Sequence, residues 1–261
     1  MRVTFLGTGT STGVPLIGCG CKVCASSDPR NNRMRQSIWI QHEGASILID
    51  TSSDFRQQAL RFKIRRIDAI LYTHHHADHI FGLDDTRVFA YRQRAAIPIF
   101  GTAETLDGIE KTFWYAFADI PEGGGRPKVL PVSIDGPFDC FGLHIVPLEG
   151  DHGSMPVTGY RMDGFAYLTD CKRVPPSTLE SLGSLDVLVI NALRYSPEHP
   201  THMTVGEALA VVEAVRPRRT FLIHMGHELE YSELAGALPP GVEPAYDGLG
   251  LDIKHQKENV K

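Results

Sequence analysis

Apolar residues in this chain come in short runs rich in β-branched side chains, alternating with stretches in which apolar positions recur at helical spacing. Residues 2–6 read as the first strand, and 37–41 and 45–50 as a hairpin closed around Glu43-Gly44. Ser53-Asp54 is a cap signal for a helix reaching about Arg61. A strand over 69–72, a helix over 84–94, a strand over 97–100 and a helix over about 103–117 follow. Residues 118–128, with Pro121-Glu122-Gly123-Gly124-Gly125, break the pattern and read either as a rim or lid or as an ordinary surface connection. Strands resume at 129–134, 143–147, 158–162 and 165–169, followed by a helix over 176–182 and a strand over 187–191. A helix from about Thr204 to Val215, a strand over 220–223, a short helix over 232–238 and a strand over 249–253 complete the pattern. From about Gln256 onward the chain reads as a frayed end.

Strands then helices, twice over, predict an α/β fold in one domain spanning 1–261. Its two halves, about 1–125 and 126–255, would pack sheet to sheet with helices outside. Hydrophobic residues at 42% and charged residues at 22% are ordinary for a soluble globular protein. A formal net charge of −5 without a long basic run disfavours binding to a nucleic-acid backbone. Residues 1–7 run straight into a strand and turn without the apolar core of a signal peptide, and no stretch reaches membrane-spanning length. The expected address is therefore cytoplasmic, and assembly as a homodimer is compatible with all of this.

The chemistry concentrates in Thr73-His74-His75-His76-Ala77-Asp78-His79, between the strand at 69–72 and the helix expected from Asp84. Residues two apart in an extended segment face the same way, so His74 and His76 can reach one metal ion. Asp78 and His79 lie past the bend and can turn toward a second. Gly82 removes a side chain where the helix must pack closely. Three imidazoles and a carboxylate suit borderline divalent metals such as zinc or manganese. His152, Asp170 and His224 each stand at a strand end further along the chain, as metal-capable residues. Three of the five cysteines, Cys19, Cys21 and Cys24, are spaced as a metal knuckle rather than a disulfide framework, whereas Cys140 and Cys171 read as packed core or neighbours of the site. The small-residue loop from Gly7 to Pro15 admits two readings, a backbone cradle for phosphate or a tight turn beside the metals.

The His-x-His-x-Asp-His run after a strand resembles the signature of the metallo-β-lactamase superfamily, a four-layer αββα sandwich with two mixed sheets and helices outside. The resemblance implies that His74, His76 and His152 bind one ion, that Asp78, His79 and His224 bind another, and that Asp170 bridges the pair. It implies a dinuclear centre in which a bridging hydroxide attacks and the ions, roughly 3.5–4 Å apart, clamp the phosphoryl oxygens. Asp50 and Asp84 are candidates to orient the imidazoles, or simple turn and helix caps.

Within the superfamily the chain looks similar to the phosphodiesterase branch that includes phosphoribosyl cyclic phosphodiesterase and, more distantly, tRNase Z. The opening loop from Gly7, the knuckle and the segment from Pro197 to Thr204 carry this. In that branch the knuckle holds a structural zinc together with a histidine that matches His227, and His202 matches a general acid. His199 is the weaker acid candidate, and His202 could instead cap the helix at Thr204. The implied activity is hydrolysis of a small phosphate diester, a cyclic sugar or nucleotide phosphate, by Asp78, His202 and two zinc or manganese ions. Thioester or lactone hydrolysis, RNA processing like that of tRNase Z, and an iron-dependent redox role are the alternatives on this fold.

Overall fold

The computed structural model describes residues 1–118 and 125–253. The centre of the loop expected as a rim or lid, and the end expected to fray, lie outside those residues.

The strands are β1 (Arg2–Gly7), β2 (Ser37–His42), β3 (Ala45–Ile49), β4 (Ala69–Leu71), β5 (Ile97–Gly101), β6 (Val129–Ser133), β7 (Phe138–Cys140), β8 (Leu143–His152), β9 (Met155–Met162), β10 (Phe165–Leu168), β11 (Val187–Asn191), β12 (Arg219–Ile223), β13 (Val242–Pro244) and β14 (Gly250–Asp252). They form two seven-stranded sheets, ordered β14-β1-β2-β3-β4-β5-β6 and β13-β12-β11-β10-β9-β8-β7. Each sheet is mixed. β1–β2 and β2–β3 pair antiparallel, and β3 through β6 run parallel; β7 through β10 pair antiparallel, and β10 through β13 run parallel. The strands β6 and β14, both past residue 125, join the first sheet.

The helices are α1 (Phe55–Arg61), α2 (Ala77–Ile80), α3 (Arg87–Gln93), α4 (Ala103–Thr112), α5 (Trp114–Phe117), α6 (Pro176–Ser181), α7 (Val205–Val215) and α8 (Tyr231–Ala237). Burial on both faces explains the unbroken apolar runs of the central strands. In β3, Ile47 and Ile49 point between the sheets while Leu48 points outward; in β11, Val187 and Val189 point in while Leu188 and Ile190 point out. The inter-sheet layer pairs Phe5 with Phe221, ring centroids 5.9 Å apart. The outer face of the first sheet takes Phe55, Phe89 and Ile109 from α1, α3 and α4; that of the second takes Val205, Ala208 and Leu234 from α7 and α8. The result is helix, sheet, sheet, helix, the αββα sandwich.

Several expected boundaries move. The helix expected from Asp84 is a 3-10 turn over Phe81–Thr86 followed by α3, and the one expected to reach Phe117 breaks at Phe113 into α4 and α5. Asp54 precedes α1, but its carboxylate binds the Arg35 backbone N–H at 2.8 Å and guanidinium at 2.9 Å rather than capping the helix. β8 does not stop at Pro147 but continues to His152, paired along its length with β9. β7 and β13, three residues each, were not expected. Gly82 is as close-packed as its sequence position implies, since a Cβ there would lie 2.4 Å from both the Phe55 Cβ and the Ser52 carbonyl oxygen.

Candidate metal centre

Parallel strands in both sheets end at one edge, where open α/β sheets bind ligands. Asp50 follows β3, His74 follows β4 by two residues, Asp170 follows β10 by one, and His224 follows β12; His152 ends the antiparallel β8. Asp50, Asp170 and His224 all have left-handed backbones, with φ of 60°, 56° and 55°. This conformation is costly for a residue with a Cβ and concentrates at functional sites. Here it ends the strand and turns the side chain into the cleft between the sheets.

The outer nitrogen of each of four imidazoles is anchored. His79 Nδ1 lies 2.7 Å from Asp50 Oδ2, and the same carboxylate accepts from the Thr73 N–H and hydroxyl, both at 2.9 Å. His224 Nε2 meets the Thr10 hydroxyl at 3.0 Å, His152 Nδ1 the Thr201 carbonyl at 3.0 Å, and His74 Nδ1 the Thr73 hydroxyl at 3.0 Å. With the proton on each anchored nitrogen, every opposite nitrogen presents a lone pair inward. These inward atoms crowd together. His79 Nε2 is 3.0 Å from Asp170 Oδ2 and 3.3 Å from Asp78 Oδ2; His224 Nδ1 is 2.9 Å from Asp170 Oδ1; His74 Nε2 is 3.1 Å from His76 Nδ1.

His74, His76 and His152 offer ligand atoms within 4.8 Å of one another, as do His74, His79 and Asp170, and also His152, Asp170 and His202. Lone pairs facing carboxylates and one another at such distances repel unless cations lie between them. His224 Nδ1 is buried and without a hydrogen-bond partner among the described residues. The donor set therefore fits divalent cations, and the imidazole–carboxylate mixture suits zinc or manganese.

Charge follows this geometry. Burial alone would lower His79, but Asp170, Asp78 and Asp50 outweigh it and, without a cation between them, hold the imidazole well above its usual pKa; a bound cation would take the place of that inward proton. Burial would raise Asp170, yet His224 and His79 hold it well below the carboxylate range. His74 is driven well below its usual value by burial and by the neighbouring His79. His202 stacks on His224 with ring centroids 4.4 Å apart, and burial together with that neighbour pushes it down to about 3. His202 does not cap α7, because Thr204 does so in a reciprocal capping box with Glu207. His199 lies one ring further out, 4.9 Å from His202. Asp84 contacts none of the centre's imidazoles among the described residues. Its carboxylate accepts from the Tyr115 hydroxyl at 2.7 Å and pairs with Arg87, so it braces α5 rather than orienting a ligand.

The opening loop supplies a side chain rather than a phosphate cradle. The N–H groups of Gly9, Thr10, Gly13 and Val14 are already bonded to the carbonyls of Met34, Met225, Thr10 and Arg33. Thr10, Gln36 and Thr73 are the supports that sequence reasoning missed. Gln36 donates to Asp170 Oδ1 at 2.8 Å, across 134 positions. Only its place as a polar residue just ahead of a strand marked it.

Cys19, Cys21 and Cys24 surround His227, whose Nδ1 lies 3.4, 3.5 and 3.6 Å from the three sulfurs. A tetrahedral zinc with bonds of about 2.3 Å to sulfur and 2.0–2.1 Å to nitrogen would separate those atoms by roughly 3.6 Å. The donors fit that ion. Backbone N–H groups of Leu16, Cys21 and Cys24 donate to the sulfurs of Cys24, Cys19 and Cys21. The Cys24 N–H and His227 pull the Cys21 thiol down to about 6, as a metal ligand requires, while burial pushes Cys24 up to about 11. The loop is tied down by Arg33, 1% exposed, whose guanidinium donates to the carbonyls of Gly226 at 2.9 Å and Leu229 at 2.6 Å.

Two sheets that close a histidine–aspartate centre between their strand ends define the class, and the chain belongs to the β-lactamase superfamily, whose domain model matches residues 45–225. Among solved structures it is similar to a diphosphatase of the PhnP family, with 39% identity over 97% of this chain and 98% of that one and a TM-score of 0.90. It is also similar in fold to zinc-bound PqqB from Methylobacterium extorquens, with 20% identity, a TM-score of 0.78 and coverage of 97% and 100%. A curated relative, an octanoyltransferase of Porphyromonas gingivalis, is 39% identical over all of this chain but only 53% of its own length. The chain thus spans about half of that relative. No helix among the described residues is long and apolar enough to cross a membrane.

Proposed function

We propose that this protein is a metal-dependent hydrolase that cleaves a small phosphate diester, such as a cyclic sugar or nucleotide phosphate, with two zinc or manganese ions in the histidine–aspartate centre. The observation that carries the reading is the convergence of outwardly anchored imidazoles on Asp170. In this reading His74, His76 and His152 hold one ion, Asp78, His79 and His224 hold the other, and Asp170 lies between. Two such ions supply an ionised water at neutral pH and neutralise charge on the phosphoryl oxygens. The chain's own part is to hold that geometry. Asp50 fixes the His79 tautomer, Thr10 and Gln36 fix His224 and Asp170, and the exposed His76 side leaves an entrance. His202, with a ring nitrogen within 4.8 Å of ligand atoms on His152 and Asp170, is neutral in the free protein, and in this reading the negative charge of a bound phosphate raises it so that it gives a proton to the leaving oxygen. The knuckle of Cys19, Cys21, Cys24 and His227 holds a structural zinc.

The PhnP-family diphosphatase supports attack at phosphorus, since its reaction and diester cleavage share the displacement of an oxygen leaving group. The octanoyltransferase name belongs to a protein of which 47% has no counterpart here (100% − 53%), so a thioester serves as the control substrate. The test is hydrolysis of bis(p-nitrophenyl) phosphate by wild type, Asp78→Ala and His202→Ala, with metal analysis and an octanoyl thioester alongside. The reading expects loss of turnover in Asp78→Ala. In His202→Ala the loss should be greater for poor leaving groups than for p-nitrophenol. Turnover of the thioester but not the diester, or a purified protein carrying iron, would replace it.

A further inference from the structure

His75 stands between two of the proposed metal ligands, His74 and His76, yet its own imidazole is not among the donors that converge on the centre. It makes no hydrogen bond or ion pair with any described residue. The backbone is pinned on either side of it. The Thr73 carbonyl accepts from the Thr158 N–H at 2.9 Å, and the His76 carbonyl from the His79 N–H at 3.0 Å. Between those two points, the peptide groups of His74 and His75 form no backbone hydrogen bond among the described residues. Packing must therefore hold this stretch.

The packing partner is Gly108, inside the ten-residue helix α4. A Cβ there would lie 2.4 Å from His75 Cγ, 2.7 Å from Cδ2 and 2.8 Å from Cβ. Carbons in ordinary contact are about 3.5–4.0 Å apart, so a side chain in place of Gly108 would displace His75 by roughly 1 Å. A new rotamer cannot relieve this, because the His75 Cβ is itself too close and moves only with the backbone. Glycine inside a helix is less stable than alanine. The Gly108 φ is not left-handed, so backbone conformation does not call for glycine. Gly206 in α7 and Gly236 in α8 meet no atom within 4 Å at the corresponding place. Of these three, Gly108 alone makes room for another segment.

We propose that Gly108 is a positioning residue of the metal centre: its missing side chain seats the His75 ring on α4 and so fixes the chain between His74 and His76. The inference rests on the reading that these two histidines hold an ion. A functional constellation must be held to within about 0.5 Å, which a displacement of roughly 1 Å at His75 exceeds.

The experiment is titration with Mn²⁺, the free ion read by electron paramagnetic resonance, of protein that keeps its knuckle zinc but has been stripped of other metals. Affinity should fall about 10–100-fold in Gly108→Ala, as when a ligand loses its support, and stay at the wild-type value in Gly236→Ala. Circular dichroism checks that the titrated protein is folded; a purely structural role would lower its melting temperature and leave its manganese affinity alone. In a His75→Gly background, adding Gly108→Ala should cost no further affinity, because nothing is left to clash. Equal affinity of wild type and Gly108→Ala would overturn the proposal, as would an equal loss in both backgrounds. Should Gly108→Ala not fold, His75→Ala, which empties the seat, carries the test: its affinity should fall, and wild-type affinity would overturn the proposal. Wild-type protein that binds no manganese would overturn it together with the metal reading, so the two failures are distinguishable.

Discussion

The two candidate metal sites are built in opposite ways. The knuckle takes three ligands from one six-residue turn, Cys19 to Cys24, and closes on His227; its sulfurs are steadied by backbone N–H groups. The histidine–aspartate centre draws on strand ends from both sheets and steadies its imidazoles with side chains, Asp50, Thr10 and Thr73 among them. Three thiolates and an imidazole at tetrahedral spacing leave no coordination position for a substrate, whereas an imidazole–carboxylate cluster with a half-exposed edge does. Local assembly makes a closed, structural site. Long-range assembly makes an open one whose geometry depends on the whole fold.

Substitutions that touch one site and spare the other test that contrast. The largest effect belongs to Asp170→Ala, which should abolish phosphodiester turnover and release the catalytic ions while one zinc per chain stays bound. Metal analysis after gel filtration reads both, and loss of every ion would merge the two sites into one. Cys21→Ser should do the reverse, with stability falling by on the order of 4 kcal/mol, or about 10 °C in melting temperature, as expected for loss of a structural metal. Turnover of the remaining folded, metal-loaded enzyme should change little.

Asp247 probes the seam between the sites, where its carboxylate accepts from the Thr8 hydroxyl at 2.8 Å and the Met34 N–H at 2.7 Å. Burial pushes it up to about 6. The folded protein thus keeps a proton that the unfolded chain gives up near pH 4, so this residue lowers stability above pH 6 and the penalty is relieved as the pH falls toward 4. Asp247→Asn should remove that slope, worth about 3 kcal/mol at most, in urea melts at pH 4.5 and 7. Parallel pH dependence in the two proteins would count against it. The smallest effect is expected for Asp50→Asn, which should weaken catalytic metal binding or activity by about 10–100-fold, as is usual when a histidine ligand loses its supporting carboxylate. Knuckle zinc should be untouched.

What could be read from sequence follows from the same contrast. The histidine run and the cysteine turn are contiguous, so their chemistry shows in a few residues. Asp170 and His224 were legible because each stands at the end of an apolar run, whereas His152, set off from Leu148 by Glu149, Gly150 and Asp151, was legible through the family resemblance. Thr10, Gln36 and Thr73 are ordinary polar residues whose roles arise only when distant segments meet. Arg33 was not singled out from sequence, because the carbonyls that cage it belong to a loop 193 to 196 positions away. Among the elements, β7 and β13 are too short to show an alternating pattern, and Pro147 hid the continuation of β8 because proline is usually a strand breaker. Asp84 misled because its place in the sequence, five residues past His79, carries no information about direction; the 3-10 turn swings it toward Tyr115.

The left-handed backbones of Asp50, Asp170 and His224 bear on how this protein can change. Glycine would suit each position better as backbone, by roughly 1 kcal/mol or more apiece for a residue carrying a Cβ. Selection for robustness alone would therefore erode the very residues on which turnover depends. A screen of random variants that rewards heat tolerance without demanding catalysis should return inactive proteins with glycine at His224, and laboratory evolution toward new substrates should first gather stabilising changes elsewhere, away from the strand ends.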